Sequence, residues 1–452
     1  MIDVTVGRIA EIVGGRAFGD LDTIVTGAAI VDSRRATPGD LFVAMAGEST
    51  DGHDHVESAL RAGAVATLAQ REVPGSGVVV IDPLAAVAEL ARWSLAQIRA
   101  QSDITVVALT GSQGKTSVKD LLAHIFESNA ATIAAEGSFN NELGVPLTVL
   151  RAGLDTRWLV VEMGARGIGH IEYLCSIARP DVAAVLNVGT AHMGEFGSVE
   201  AIGRAKGEII SALKSSGAAV LNAGDRVVAE MASAHSGRTI TFGADGDVDL
   251  LAPVTLNHDG HAELVLRIGG DEFPVTIPQV GYHHGINAAA ATAIAIACGL
   301  EPAQIVNALA TATPRSHMRM EVARTSNGIL VLNDAYNANP ESMSAALETL
   351  AGVARGRSIA VLGPMLELGD SSDEHHRRIG LKARALGVDR VVVVGHSAKP
   401  ISEGAGDRAE YCESMDVAIN TLLASLCSGD TVLVKASRGI AMENLVAALM
   451  AA

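Results

Sequence analysis

The stretch Val106-Val-Ala-Leu-Thr-Gly-Ser-Gln-Gly-Lys-Thr-Ser117 runs from an apolar strand pattern into a glycine-rich turn, then into a helical pattern over Val118 to Phe126. Such a turn aims backbone N–H groups and a helix N-terminus at phosphate oxygens; Lys115 would reach the terminal phosphates and the Thr116 hydroxyl a Mg²⁺ ion. The cradle comprises Thr110, Gly111, Ser112, Gln113, Gly114, Lys115, Thr116 and Ser117. Usual P-loop spacing places a glycine where this chain has Leu109, so the loop reads as a shortened variant, Gly111-x-x-Gly114-Lys-Thr. A nucleoside triphosphate needs more counter-charge than one lysine supplies, which directs attention to polar residues at neighbouring strand ends. Glu162 follows the apolar run Trp158 to Val161, and His192 follows Val182 to Val188 in Asn187-Val-Gly-Thr-Ala-His192. A parallel sheet would bring both beside the loop. Lys206, in Ala201-Ile-Gly-Arg-Ala-Lys-Gly-Glu208, reads on spacing alone as a solvated helix lysine.

The elements that must carry these residues predict an α/β protein of three domains. Residues 1–82 hold short apolar runs, Asp40-Leu-Phe-Val-Ala-Met45 and Gly77-Val-Val-Val-Ile81, between Gly, Pro and Asp clusters, as a small α/β domain would. A helical pattern over Pro83 to Arg99 opens a second domain, 83–313. There the runs Ile104 to Leu109, Trp158 to Val161, Val182 to Val188 and Ala218 to Leu221 alternate with helical stretches, the sign of a P-loop-type parallel sheet covered by helices. Val248 to Ile277 reads as an antiparallel insert, followed by an Ala-rich helix from Asn287. The third domain, 314–452, repeats the alternation as a Rossmann-like unit with runs at Ile329 to Leu332, Ile359 to Leu362, Val391 to Val394 and Thr431 to Val434.

Composition narrows the function. Of 452 residues, 34 are Lys or Arg and 51 Asp or Glu, a net charge of −17 that argues against coating nucleic acid or an anionic membrane. Hydrophobic residues at 48% and aromatics at 3% predict aliphatic cores rather than disorder. Cys175, Cys298, Cys412 and Cys427 form no C-x-x-C pair, so neither a zinc site nor a disulfide framework is expected. No signal peptide is visible, and the longest apolar run, Ile286 to Leu300, is too short for a bilayer; the chain reads as soluble and cytoplasmic.

The phosphate loop, Gly137-Ser-Phe-Asn-Asn-Glu-Leu-Gly144, Glu162, the His192 segment, Ala205-Lys-Gly-Glu208 and Asp334-Ala-Tyr-Asn-Ala-Asn-Pro340 occur together and in order. This set resembles the Mur ligase family and, within it, the MurF type, which adds D-alanyl-D-alanine to the UDP-muramoyl tripeptide of peptidoglycan. The resemblance spans essentially the whole chain. Asp32-Ser-Arg-Arg35, Pro38-Gly-Asp-Leu-Phe-Val-Ala44 and Asp51-Gly-His53 resemble its uridine-nucleotide domain; Leu366-Glu-Leu-Gly369 and Lys435-Ala-Ser-Arg-Gly439 resemble its third domain.

The resemblance implies ATP, two Mg²⁺ ions and an acyl-phosphate route to an amide bond. Thr116 and Glu162 would bind the Mg²⁺ on the β- and γ-phosphates and His192 a second ion, while Lys206 matches a lysine that many relatives carry as a metal-binding carbamate. It further implies Asn287 at adenine, Arg319 at the γ-phosphate and Asp334 at the ribose. Ser33 and Arg34 would meet the uridine nucleotide, and Asn140, Asn141, Tyr336 and Asn337 the peptide substrates. The chain departs from the family pattern at His284, where Asn is usual, at Met318 and Ala436, where Gly is usual, and at Pro364, where an acid is common. Expected partners are UDP-N-acetylmuramoyl-tripeptide and D-alanyl-D-alanine, with no nucleic acid, no membrane insertion and a monomeric chain. Competing readings are a sister Mur-type or folylpolyglutamate-type ligase with another amine, and a P-loop nucleotide switch. With a net charge of −17, binding anionic substrates requires positive charge gathered at Arg34, Lys115 and Arg319. Because ATP contacts come from two domains, the third is expected to close on the second.

Overall fold

The computed structural model describes residues 1–47, 50–190 and 193–451. Among these residues, three larger sheets follow one another along the chain.

The first sheet runs, edge to edge, Arg16–Phe18, Gly77–Val79, Ala66–Ala69, Leu41–Val43, Ala29–Ile30, parallel except for its first pair. Strand alternation gives it two faces: Phe42 joins a small cluster with Val56 and Ala59, whereas Leu41, Val43 and Leu68 enter a larger core. That larger core also holds Val87, Leu90 and Leu95 of the helix Pro83–Gln101 and Val106 and Leu159 of the next sheet, so no apolar boundary separates the two regions. The helix starts where its signals place it: Asp82 Oδ1 accepts from the N–H groups of Leu84 and Ala85, and Pro83 occupies the first helical position.

The nine-stranded central sheet runs Asp271–Val280, His261–Ile268, Val248–Leu256, Arg238–Gly243, Ala218–Asn222, Val182–Val185, Thr105–Thr110, Trp158–Glu162, Thr132–Ala134. Four of its parallel strands, from Ala218–Asn222 to Trp158–Glu162, are buried on both faces, which is why they read as unbroken apolar runs: Val106 and Ala108 face one core, Val107 and Leu109 the other. The antiparallel segment is no separate insert. Val248 and Asp249 pair in parallel with Phe242 and Gly243, so its three strands extend the same sheet. The helix His284–Ala297 covers this extension, and its Ala-rich sequence allows burial on nearly every side.

Thr105–Thr110 is flanked by Trp158–Glu162 on one side and Val182–Val185 on the other, the place where strand order reverses. A crevice opens beyond the carboxyl end of such a strand, and register sets Glu162 beside Leu109 at its rim.

The last sheet runs Glu321–Arg324, Leu330–Asp334, Thr431–Lys435, Ser358–Leu362, Arg390–Val394, Ala409–Cys412, parallel but for its first pair. The four apolar runs expected here are its four inner strands. The two edge strands escape a search for such runs because exposed edges carry charged residues such as Glu321, Arg324 and Glu410. Among the described residues, no helix is long and apolar enough to cross a membrane.

Candidate active site

A cleft of about 440 Å³ is walled on one side by Ser112 to Ser117, Glu162 and Lys206 of the central region and on the other by Arg319, Asp334, Tyr336 and Lys435 of the C-terminal region. The glycine-rich turn forms its floor. Gly114 has φ 81°, a left-handed conformation that glycine adopts freely, and a Cβ there would stand 2.7 Å from Asn287 Oδ1. Asn187 braces the turn: its Oδ1 accepts from Gln113 N (3.0 Å), its Nδ2 donates to Gln113 O (3.2 Å), and its carbonyl accepts from Ser112 N (3.1 Å). The helix Lys115–Glu127 begins directly after, with no side chain capping its first turn, which leaves N–H donors for an anion. Thr110 and Gly111 lie off the cleft wall; Thr110 is fully buried.

Lys115 Nζ donates to Gly111 O at 2.7 Å. Burial lowers its pKa, Glu162 opposes that shift, and Arg319 adds to it. Glu162 is 1% exposed at its strand end, and both its oxygens are engaged: Oε2 accepts from Thr116 Oγ1 (2.9 Å) and Oε1 from Asn140 Nδ2 (2.7 Å). Among the described residues no three His, Cys, Asp or Glu side chains converge as a metal cage. The buried carboxylate of Glu162 and hydroxyl of Thr116, with the half-buried amide oxygen of Asn140, do suit a hard divalent cation that completes its shell with water and phosphate oxygens. Asn141 serves its own loop, its Oδ1 accepting from Gly144 N at 2.9 Å.

Lys206 is not the solvated lysine that its spacing suggests. It is 5% exposed, on the same helix face as Ile202, Ile209 and Ile210, and has no hydrogen bond or ion pair among the described residues. Burial pushes its pKa well below the ordinary lysine value, and the nearby charge of Lys115 pushes further. His192 lies outside the described residues. Thr190, just before it, meets Glu341 of the C-terminal region, whose Oε1 accepts from Thr190 N (3.0 Å) and Oγ1 (2.8 Å).

From the opposite wall Arg319 donates to Ser138 Oγ at 2.6 Å and stacks 4.3 Å from the centre of the Tyr336 ring. Ser138 Oγ is in turn 3.2 Å from Thr116 Oγ1, so one hydroxyl joins the two walls. Asp334 accepts from Lys435 Nζ on Oδ2 (2.6 Å) and from Met320 N on Oδ1 (3.1 Å). Asn287 and Asn337 also line the cleft, as does His283, which packs at a tilt of 40° on the buried His284 with ring centres 4.2 Å apart. Burial lowers the pKa of both imidazoles.

Ser33 and Arg34 are not on this cleft wall. The Arg34 side chain is 86% exposed and folds back on Asp32 through contacts of 2.9 and 2.6 Å, so it adds no positive charge where Lys115 and Arg319 meet. Its neighbour Arg35 reaches Glu136 at 2.5 Å, at the base of the loop that carries Ser138 and Asn140. Three residues that organise the site were given no role from the sequence, although Ser138 and Lys435 lie within quoted motifs. Ser138 has no signature of its own. Lys119 sits among Val118, Leu121 and Leu122 on a buried helix face, a position where a lysine needs a purpose; its Nζ donates to the carbonyls of Ala135 (2.8 Å) and Gly137 (2.9 Å). Lys435 ends a strand, the place where the post-strand rule looks for function.

Three family models match successive parts of the chain: the Mur ligase family catalytic domain over residues 29–92, the Mur ligase middle domain over 109–295, and the Mur ligase glutamate ligase domain over 318–438. A UDP-N-acetylmuramoyl-tripeptide–D-alanyl-D-alanine ligase of Mycobacterium tuberculosis is 41% identical across 100% of this chain and 98% of its own length. The crystal structure of MurF from Acinetobacter baumannii matches with a TM-score of 0.87 at 32% identity, covering 100% of this chain and 99% of that one. MurF ligase from Thermotoga maritima in complex with ADP matches with a TM-score of 0.80 at 30% identity, covering 94% and 98%.

Proposed function

This chain belongs to the Mur ligase family, and from that premise we propose that it is the ATP-dependent, ADP-forming ligase that adds D-alanyl-D-alanine to UDP-N-acetylmuramoyl-tripeptide in peptidoglycan precursor synthesis. The observation that carries the reading is the cleft in which a phosphate loop and a buried carboxylate on one sheet face an arginine delivered from another.

A carboxylate is a poor electrophile in water, so amide formation needs activation. The terminal carboxylate of the tripeptide attacks the γ-phosphorus of ATP, ADP leaves, and an acyl phosphate forms. The free amine of D-alanyl-D-alanine then attacks the acyl carbon; the tetrahedral intermediate expels inorganic phosphate, and the amine gives up a proton. The N–H groups between Ser112 and Ser117 hold the transferring phosphates, with Lys115 and Arg319 neutralising charge from either side. The Tyr336 ring beneath it holds the Arg319 guanidinium in position. Asn287 meets the adenine, and Asp334 meets the ribose with the acceptor capacity its two bonds leave. Ser33 and Arg34 take the uridine nucleotide, while Asn140, Asn141, Tyr336 and Asn337 guide the peptide ends together.

Thr116 and Glu162 would hold Mg²⁺ against the β- and γ-phosphates, with His192 toward a second ion, supplying charge neutralisation in phosphoryl transfer. Lys206 has a property that favours a carbamate, a buried amine whose protonated form is disfavoured by burial and by the nearby charge of Lys115. Its nitrogen adds to CO₂, a proton is released, and a cation position becomes an anion facing the cleft. Closure of the C-terminal region completes the site, since the Arg319–Ser138 and Glu341–Thr190 contacts both cross between walls.

The test is phosphate release with UDP-N-acetylmuramoyl-tripeptide and one of D-alanyl-D-alanine, D-alanine, a diamino acid or glutamate as amine. Release only with the dipeptide supports the reading. Release with a single amino acid makes the chain a sister ligase, and release without any acceptor makes it a nucleotide switch.

A further inference from the structure

Arg319 sits in a strained turn. The residues on both sides of it, Met318 and Met320, have φ of 57° and 51°. Left-handed backbone is disfavoured for side chains of this size, and persists where the surroundings over-determine it. Here the surroundings are one nearby carboxylate and two groups from the adjacent strand end. Met318 N donates to Glu321 Oε2 (3.1 Å), Met318 O accepts from Tyr336 N (3.2 Å), and Met320 N donates to Asp334 Oδ1 (3.1 Å). Asp334 is itself held: Lys435 lies directly opposite in the parallel register, is 2% exposed, and binds Asp334 Oδ2 at 2.6 Å and the Asn337 carbonyl at 2.8 Å. An ion pair between a buried lysine and a half-buried aspartate on two adjacent inner strands therefore fastens the turn from below, and the side chain between the two strained residues reaches Ser138 on the far wall.

We propose that Lys435 and Asp334 are positioning residues of the ligase, a clamp that keeps the Met318–Met320 turn left-handed so that Arg319 projects across the cleft. The inference rests on the reading that Arg319 meets the transferring phosphate. Lys435 acts through Asp334 and the turn. Relaxation of the turn to ordinary backbone would swing the guanidinium away from Ser138 without altering the phosphate loop.

The experiment is a mutant cycle read by kcat, by KM for ATP and for the UDP-tripeptide, and by circular dichroism for folding. Lys435→Met should lower kcat on the order of 10- to 100-fold, the cost of misplacing a catalytic group by about an ångström, with KM for the UDP-tripeptide unchanged. In an Arg319→Ala background the same substitution should cost less than about threefold, because its route of action is gone. Met318→Gly should restore part of the kcat lost in Lys435→Met, since glycine takes left-handed backbone unaided. A folded Lys435→Met enzyme with wild-type kcat, or full additivity with Arg319→Ala, overturns the clamp. If Lys435→Met does not fold, Met318→Val replaces it: a branched side chain opposes the turn directly, and undiminished kcat in that variant overturns the proposal. A wild-type chain inactive toward D-alanyl-D-alanine would instead overturn the functional reading, leaving the two failures distinguishable.

Discussion

The two walls of the cleft bring cationic groups to one place by opposite constructions. On the central side, Lys115 is delivered locally: a strand ends, a glycine turns the chain, a helix begins, and the lysine lies at its first position. On the C-terminal side, Arg319 is delivered by a turn of left-handed methionines, held by the nearby Glu321 and, from farther along the chain, by Asp334, Tyr336 and Lys435, of which Lys435 is more than a hundred residues away in sequence. A phosphate loop can be assembled wherever a strand–turn–helix unit folds, because its donors are backbone groups. An arginine that comes from a second region of the chain has to be aimed, and aiming draws on contacts that only a completed sheet supplies.

The largest expected effect tests the local side. Lys115→Ala should lower phosphate release by roughly 10³-fold, since the charge it opposes develops in the transition state. Arg319→Lys sharpens the contrast. It keeps the charge but loses the planar fork that bonds Ser138 and stacks on Tyr336, and kcat should fall roughly 10²-fold; equal activity would show that aim is unimportant on that wall. Glu162→Gln should raise the Mg²⁺ concentration for half-maximal rate by about 10- to 100-fold, measured by metal titration at fixed ATP. Nucleotide affinity should itself depend on Mg²⁺, because Glu162 places a carboxylate beside the phosphate loop, where a bound cation would offset its repulsion of phosphate.

Lys206 gives a smaller effect, read in stability. Its pKa in the fold lies well below 10.5, so the unfolded chain binds the additional proton, and the contribution of this site to stability rises with pH between the lowered value and 10.5. Lys206→Met should lack that rise and melt on the order of 2 °C higher at pH 7 when bicarbonate is excluded; parallel pH profiles for the two proteins would rule out the buried neutral amine. The smallest effect is expected at the second crossing contact. Thr190→Val removes the hydroxyl bond to Glu341 but keeps the backbone one, and kcat should change by less than about threefold.

Legibility followed the same division. Inner parallel strands announced themselves because burial on both faces demands continuous apolar runs, and the helix at Pro83 because Asp82 and Pro83 are local signals. The edge strands Glu321–Arg324 and Ala409–Cys412 were silent because half of each faces solvent. The antiparallel stretch was recognisable as such, yet its union with the parallel sheet depends on pairing between Phe242 and Val248 that no periodicity encodes. Lys206 misled because a lysine on a helix carries no mark of which face the sheet will cover.

By itself the sequence determined the strand–turn–helix unit, the order of three α/β regions and the residue types that could bind phosphate and a hard cation, since each rests on interactions within a few residues of chain. Tertiary structure alone decided that Glu162 stands beside Thr116, that Lys206 is buried with its pKa pushed down, that Ser138 joins the two walls and that Arg319 is aimed by Lys435. Those outcomes depend on register, burial and long-range pairing, and all three come into being only when distant strands share one sheet and distant sheets share one cleft.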